Sequence, residues 1–248
     1  MITASIVLFK ENLETIRKTV DSFLKTPLEK KLYLIDNSPF NDLESHFKHL
    51  EIEYIYVGNN IGFGKAHNLV LDKINSDFHL ILNPDVEFLS NVIPNLIKVL
   101  LNESNVSFIT PKVLYPNEEI QFVCRKHPTF FDLINRKLKI SKNNIRKNEY
   151  QDQDLEKPFY PDFIHGCFML FKTEDFKRLK GFDERYFLYM EDADMCKKID
   201  HLGKKKLFYP KIEITHQHQK GSSKSIKLFF YHLSSAFKYF LKWGIYFL

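Results

Sequence analysis

The sequence predicts an α/β fold on a mostly parallel, Rossmann-like sheet with helices on both faces, and three observations carry that expectation. Ser5 to Phe9 is a compact apolar run with β-branched members, and it leads into Glu11 to Lys25, where Leu13, Ile16, Val20, Phe23 and Leu24 recur at helical spacing. Leu32 to Ile35 and Tyr54 to Val57 read as two more buried strands, the first closing on the turn formers Asp36-Asn37-Ser38-Pro39. Leu69, Val70 and Ile74 then mark another helix and Phe78 to Leu82 another strand. Ligands on such sheets gather at the carboxyl ends of the strands, so the residues that follow each strand are the candidates for function.

Further along, Arg125 to Lys157 breaks the alternation with a basic stretch followed by an acidic one, and reads as a mobile excursion on the acceptor side. Order returns at the strand Phe168 to Phe171 and at a helix from Glu191 to His201 closed by Gly203. Residues 1–220 are expected to form one catalytic domain and 221–248 an amphipathic helical tail. In that tail Ile226, Phe229, Phe230, Leu233, Phe237, Phe240 and Leu241 recur at helical spacing, while Lys224, Lys227, Lys238 and Lys242 fall within about 60° of one another on the other side. An aromatic face backed by lysines, with Trp243, Tyr246 and Phe247 at the end, suits the surface of a membrane; packing on the core is the competing reading.

Composition narrows the classes. A chain of 248 residues with 24 Phe and 12 Tyr against 8 Gly buries a single sizeable core and is not a disordered or low-complexity scaffold. Cys124, Cys167 and Cys196 are widely spaced with no Cys-x-x-Cys pair, which fits a reduced cytoplasmic setting, as does the absence of a signal-like or membrane-spanning segment. The net charge of +5 admits nucleic acid, an anionic membrane or phosphorylated substrates.

The chemistry-bearing residues decide among these. Asp85, in Asn83-Pro84-Asp85, follows a strand and stands where a diphosphate and a hard cation would lie. Asp36 closes another strand, where a carboxylate can accept from the imide N–H of a pyrimidine base. Asn59 to Asn68 resembles a dinucleotide fingerprint except that His67 replaces the third glycine, which disfavours a dehydrogenase yet keeps a tight backbone entry into a helix. The densest signal is Gly181 to Asp194, where Asp183, Glu184, Glu191, Asp192 and Asp194 are interleaved with aromatics. A partly desolvated carboxylate there can serve as general base. Asp192 is the first choice, with Glu191 and Asp194 as competitors. His216 and His218 offer a nitrogen ligand to the same cation.

Taken in order, Asp36-Asn37-Ser38, Asn60 to Asn68, Asn83 to Asp85, Gly181 to Asp194 and His216 resemble the family-2 glycosyltransferases of the GT-A fold, in the branch of bacterial rhamnosyltransferases that act on lipid-linked glycans. The resemblance implies an inverting, cation-assisted transfer of a sugar, L-rhamnose from dTDP-rhamnose being the leading candidate, to a saccharide carried on a membrane lipid. It implies that Asp36 reads the base, that Asn60, Gly62, Phe63, Gly64, Asn68 and Asn83 frame the nucleotide, and that Asp85 and His216 hold Mg²⁺ or Mn²⁺. Asp192 would be the base, with Glu191, Asp194 and Gly166 on the acceptor side or behind it. Two departures stand out: Asn83 takes the place of a first aspartate in the metal motif, and Tyr186 that of a phenylalanine in the aromatic run. A UDP-sugar hexosyltransferase and a nucleotidyltransferase are the alternatives. Nucleic acid is disfavoured as a partner, because the acids of 191–194 repel phosphates.

Overall fold

The computed structural model describes residues 1–138, 140–217 and 226–244. Strands β1 (Ile2–Leu8), β2 (Lys30–Asp36), β3 (Ile52–Tyr56) and β4 (Phe78–Leu82) run parallel in the order β3-β2-β1-β4. Beyond them the chain adds β5 (Val86–Glu87), β6 (Val106–Leu114), β9 (Phe168–Lys172) and β10 (Lys205–His216), completing an eight-stranded sheet in the order β3-β2-β1-β4-β9-β6-β10-β5. A separate two-stranded ribbon pairs β7 (Cys124–Arg125) with β8 (Phe163–Ile164).

Helix α1 (Leu13–Leu24) starts where the Asn12 side chain accepts the N–H groups of Glu14 and Thr15. It buries Ile16, Val20 and Phe23 in one core cluster with Leu32 and Leu34. The alternate residues of β2, Tyr33 and Ile35, pack on the opposite face with Ala66 of α2 (Phe63–Asn68) and with Val70. This period-two split covers the sheet on both sides, as the alternating pattern implied.

Four features depart from the sequence expectations. The helix placed at Leu69 to Ile74 begins earlier: α2 is built from the Gly-Phe-Gly motif itself and gives way to a single 3₁₀ turn at Leu71–Lys73. The helix α3 (Val92–Asn102) and β6 were not anticipated. Residues 125–157 are not a structureless excursion, for they contain α4 (Phe130–Leu138) and α5 (Lys142–Asn148). They are anchored by the β7–β8 ribbon and by a 2.7 Å contact between His127 Nε2 and Asp200 Oδ2. Finally, β9 runs antiparallel to both β4 and β6.

That reversal matters for the site. A parallel strand would begin at the far edge, whereas β9 begins at the carboxyl edge with Phe168 opposite Leu82. It therefore delivers the preceding Gly166-Cys167 beside Asn83, whose N–H donates to the Cys167 carbonyl at 2.9 Å. Strand β10 extends beyond its expected end at Tyr209, through an irregularity after Pro210, to put His216 opposite Val86 of β5. The remaining helices are α6 (Thr173–Arg178), α7 (Glu191–His201) and α8 (Ile226–Trp243). Among the described residues no helix is long and apolar enough to cross a membrane. His218, Lys224, Ser225, Tyr246, Phe247 and Leu248 lie outside the described residues.

Candidate active site

The Asn83-Pro84-Asp85 turn is held from below by α1. Thr19 Oγ1 donates to the Pro84 carbonyl at 2.7 Å and accepts from Val86 N–H at 3.1 Å. Pairing of β10 with β5 then sets His216 Nε2 3.1 Å from Asp85 Oδ1, with the Asn83 amide 3.4 Å from the same nitrogen. Gln121, in a position the sequence did not single out, fixes the ring: its Oε1 lies 3.0 Å from His216 Nδ1, while its amide donates to the His216 and Leu114 carbonyls. With the Nδ1 proton engaged by Gln121, Nε2 is the ring nitrogen left to face Asp85. Burial opposes a charge on this imidazole, but the Cys167 sulfur and the Asp85 carboxylate beside it outweigh burial and push its pKa up to about 10.

Glu11 is a second residue that sequence reading passed over. It is half-buried where β1 gives way to α1, and burial together with the Asp85 charge raises its carboxyl to about 7. The Asp85 carboxylate, and the His216 imidazole once its Nε2 gives up its proton, are donors of the kind a divalent cation takes. Among the described residues no group of three or more His, Cys, Asp or Glu could close around an ion by itself. Asp85 and His216 are the two side chains at this turn that would hold a cation.

A second group of carboxylates is built at the start of α7. Tyr189 and Met190 both carry φ of +69°, a left-handed conformation that side chains avoid, and the backbone turns sharply there into the helix. Asp192 emerges next, partly exposed, its Oδ2 accepting the Gly166 N–H at 3.1 Å and its Oδ1 the Ala193 N–H at 2.8 Å. A Cβ on Gly166 would stand 3.3 Å from Asp192 Cβ, so glycine lets this approach happen. Burial raises the pKa of Asp192, and the two N–H donors and Arg125 of β7 pull the other way. Glu191 is buried more deeply and repelled by Asp192, which raises its pKa well above the ordinary value. Of this coupled pair Asp192 is the member favoured to ionise.

Asp194, the other competitor, is turned away from Asp192. Wholly buried, it accepts from Lys242 Nζ at 2.7 Å, Trp243 Nε1 at 2.8 Å and the Tyr186 hydroxyl at 3.2 Å, so it fastens α8 to the body of the protein. Lys242, set by helical spacing opposite the aromatic face, is thus an internal partner, shared with Asp183 at 2.8 Å.

The two densest motifs clasp each other. Phe63 N–H donates to the Phe187 carbonyl at 3.0 Å, and Asn68 exchanges two hydrogen bonds with the Phe182 backbone, at 2.8 and 2.9 Å. Asn60 Oδ1 accepts the Gly62 N–H at 3.0 Å, holding the turn that precedes α2. A Cβ on Gly62, where φ is +96°, would fall 2.5 Å from the Phe187 carbonyl oxygen, and one on Gly64 would meet Phe182 at 2.8 Å. Asn60, Gly62, Gly64 and Asn68 are therefore spent on mutual packing of the loops. The Phe63 ring packs edge-on against His67.

Asp36 is enclosed, taking the Ser38 N–H at 2.8 Å and the Tyr54 hydroxyl. A base would reach it only where Tyr54 gives way. Its neighbour Asn37 donates to the Gly62 carbonyl at 3.1 Å, and its buried Oδ1 has no partner in the described structure, which makes it the more available polar group at this edge.

Asp85 and Asp192, 107 positions apart in sequence, are joined through a short bridge: Asp192 to Gly166, Cys167 to Asn83, and Asn83 to His216 beside Asp85. Both lie at the carboxyl edge of the sheet. A mostly parallel sheet with an acidic turn, a histidine and a second carboxylate at that edge fits the GT-A class of glycosyltransferases. Residues 4–179 match the profile of Glycosyl transferase family 2, and the chain belongs to that family. Residues 153–220 also match one described as the N-terminal domain of galactosyltransferase.

Among proteins of known activity, the chain is 28% identical over 238 residues to the rhamnosyltransferase WbbL of Escherichia coli (strain K12), covering 90% of this chain and 87% of that one. It is 24% identical over 203 residues to the N-acetylglucosaminyl-diphospho-decaprenol L-rhamnosyltransferase of Mycobacterium tuberculosis (strain ATCC 25618 / H37Rv), covering 74% and 65%. The fold matches a crystal structure of GalNAc-T7 with UDP, GalNAc and Mn²⁺ at a TM-score of 0.67 and 17% identity, over 87% of this chain and 42% of the other. The chain resembles the rhamnosyltransferase branch, and it is an enzyme that transfers glycosyl groups.

Proposed function

We propose that this glycosyltransferase inverts the anomeric centre of a nucleoside diphosphate sugar, L-rhamnose on dTDP, as it passes the sugar to a saccharide on a lipid carrier. The observation that carries the reading is the bridge that brings Asp192 and the Asp85–His216 pair to one sheet edge. Asp192 accepts the proton of the incoming hydroxyl, which then attacks the anomeric carbon from the face opposite the diphosphate. Gly166 N–H and Ala193 N–H favour the ionised carboxylate that this step needs, against the burial that opposes it. Asp85 and the Nε2 of His216 would hold Mg²⁺ or Mn²⁺, and the cation would supply neutralisation of charge on the departing diphosphate. Asn37 and the turn at Asn60 to Gly62 border the nucleotide, and the clasp between α2 and 181–187 keeps that border closed.

The donor and acceptor are supported by the two rhamnosyltransferase relatives, one of which is named for a lipid diphosphate acceptor. Mn²⁺ in the GalNAc-T7 structure supports a divalent cation. The lipid carrier places the enzyme at the inner face of the cytoplasmic membrane, and residues 1–220 are the catalytic unit. The test is a panel of dTDP-, UDP- and GDP-sugars incubated with the protein, with and without Mn²⁺, followed by release of the nucleoside diphosphate. Turnover confined to dTDP-rhamnose is expected. Release of pyrophosphate instead, or no cation-dependent turnover with any donor, defeats the proposal.

A further inference from the structure

Charge is laid unevenly along this chain. Residues 124–148 hold eight basic side chains and one acidic, and the last 32 residues hold five lysines and no acid. Those two segments are net +7 and +5, so with an overall charge of +5 the remainder of the chain is net −7.

The fold brings the two basic segments together. The Phe130 ring, at the start of α4, lies 6.3 Å from the Phe240 ring of α8. Helix α8 has two distinct sides. Ser235, Ala236, Tyr239 and Phe240 are buried, with Ser235 Oγ donating to the Leu188 carbonyl at 2.9 Å and Lys238 Nζ to the Arg185 carbonyl at 2.7 Å. Ile226, Phe230, Leu233, Phe237 and Leu241 recur every three or four residues on the other side, and each is more than half exposed, from 53% at Leu233 to 79% at Ile226. Phe130 and Phe131, at the start of α4 where Phe130 meets Phe240 of α8, are also nearly half exposed, at 46% and 47%. Lys126, Lys142, Arg146, Lys147 and Lys227 are exposed on the same two segments.

We propose that this two-helix face docks on an anionic lipid bilayer, with the α8 stripe and the Phe130-Phe131 pair seated among the acyl chains and the basic side chains against the headgroups. An exposed aromatic stripe within strongly basic surroundings is the chemistry of an interfacial helix. A second copy of the chain would meet the same surface with the same sign of charge and be repelled, whereas an anionic bilayer is attracted. The inner side of α8 packs on the 182–190 loop, and that loop contacts Gly62 and Phe63. Docking therefore holds the donor clasp about one helix diameter, roughly 10–12 Å, from the headgroups. This rests on the lipid-linked acceptor only for its purpose; the surface itself stands on the residues above.

The experiment is co-sedimentation of the full chain with vesicles of phosphatidylglycerol and phosphatidylethanolamine, and with phosphatidylcholine alone, at low and high salt. Binding to the anionic vesicles that weakens with salt is expected. The double variant Phe230→Glu/Phe237→Glu should bind them at least tenfold more weakly while melting at the wild-type temperature, and Phe130→Glu should bind several-fold more weakly. Transfer from dTDP-rhamnose to a short-chain, water-soluble acceptor should be the same in variant and wild type. Absence of that transfer in both, with vesicle binding lost only in the variant, defeats the proposed reaction and leaves the docking face standing. Equal vesicle binding by variant and wild type overturns the docking face, as does a wild-type dimer that the substitutions turn into a monomer.

Discussion

Replacing Asp192 with asparagine separates chemistry from structure. The substitution keeps the shape of the side chain, so Gly166 and Ala193 each still face a polar group, but one of their two N–H donors now meets an amide NH₂ in place of a carboxylate oxygen. Loss of one such bond costs about 1–3 kcal/mol. Burial of the carboxylate and its repulsion of Glu191, both of which disfavour the charge, are relieved at the same time and offset part of that loss. The net change in stability is about 1 kcal/mol, a shift of roughly 2–4 °C in a domain of this size. Turnover responds quite differently, because the amide cannot take the hydroxyl proton. A loss of about 10²–10⁴-fold in kcat is expected, equivalent to roughly 3–5 kcal/mol of barrier, with donor affinity within about threefold of wild type. Nucleoside diphosphate release by a coupled assay gives kcat, titration calorimetry gives donor affinity, and thermal denaturation checks the fold. Turnover within tenfold of wild type in a folded, donor-binding variant would refute the assignment of Asp192 as base.

Asp194→Asn should behave in the opposite way: removing the buried charge that gathers Lys242, Trp243 and Tyr186 costs about 2–3 kcal/mol, lowering the melting temperature by roughly 5–10 °C, with kcat of the folded fraction retained. A collapse of kcat at an unchanged melting temperature would move the base to Asp194. Gln121→Leu frees the His216 ring and should weaken Mn²⁺ binding, read by calorimetry, about 10–100-fold; unchanged affinity would separate Gln121 from the cation site. Arg125 lowers the Asp192 pKa, and a general base works only while ionised, so activity is lost as pH falls through that pKa. Arg125→Gln should therefore move the acid limb of kcat/KM to higher pH; a limb that stays in place or moves down would show that Arg125 does not act on the base.

Much of the fold and of the site was legible before any coordinate, for identifiable reasons. Strand and helix periodicity is local, so β1 with α1, β2, β4 and the bounds of α7 follow from side-chain spacing. The turn residues after those strands, Asp36, Asp85 and the start of α7 at Glu191, fall at the carboxyl edge once the strands are placed. Their meeting was implied by the family resemblance, but local spacing does not show how it comes about. It depends on β9 running antiparallel, which brings Gly166-Cys167 to Asn83, and on β10 continuing past Pro210 to His216, and neither register has a signature in local spacing. Helices α4 and α5 were hidden because their basic composition imitates a solvated loop.

The sequence by itself determined an α/β chain of family 2 with a cluster of acids at one edge, because apolar period, turn chemistry and motif order are properties of neighbouring residues. Only the tertiary structure decided which neighbours each acid meets. Asp192 and Asp194 are two positions apart on one helix, a rotation of about 200°, so one faces the cleft and the other faces Lys242 and Trp243. A rotation of about 100° between neighbours likewise sets Lys242 inward and Leu241 outward on α8. Composition is blind to that difference, because which side of a helix is buried is fixed by what packs against it.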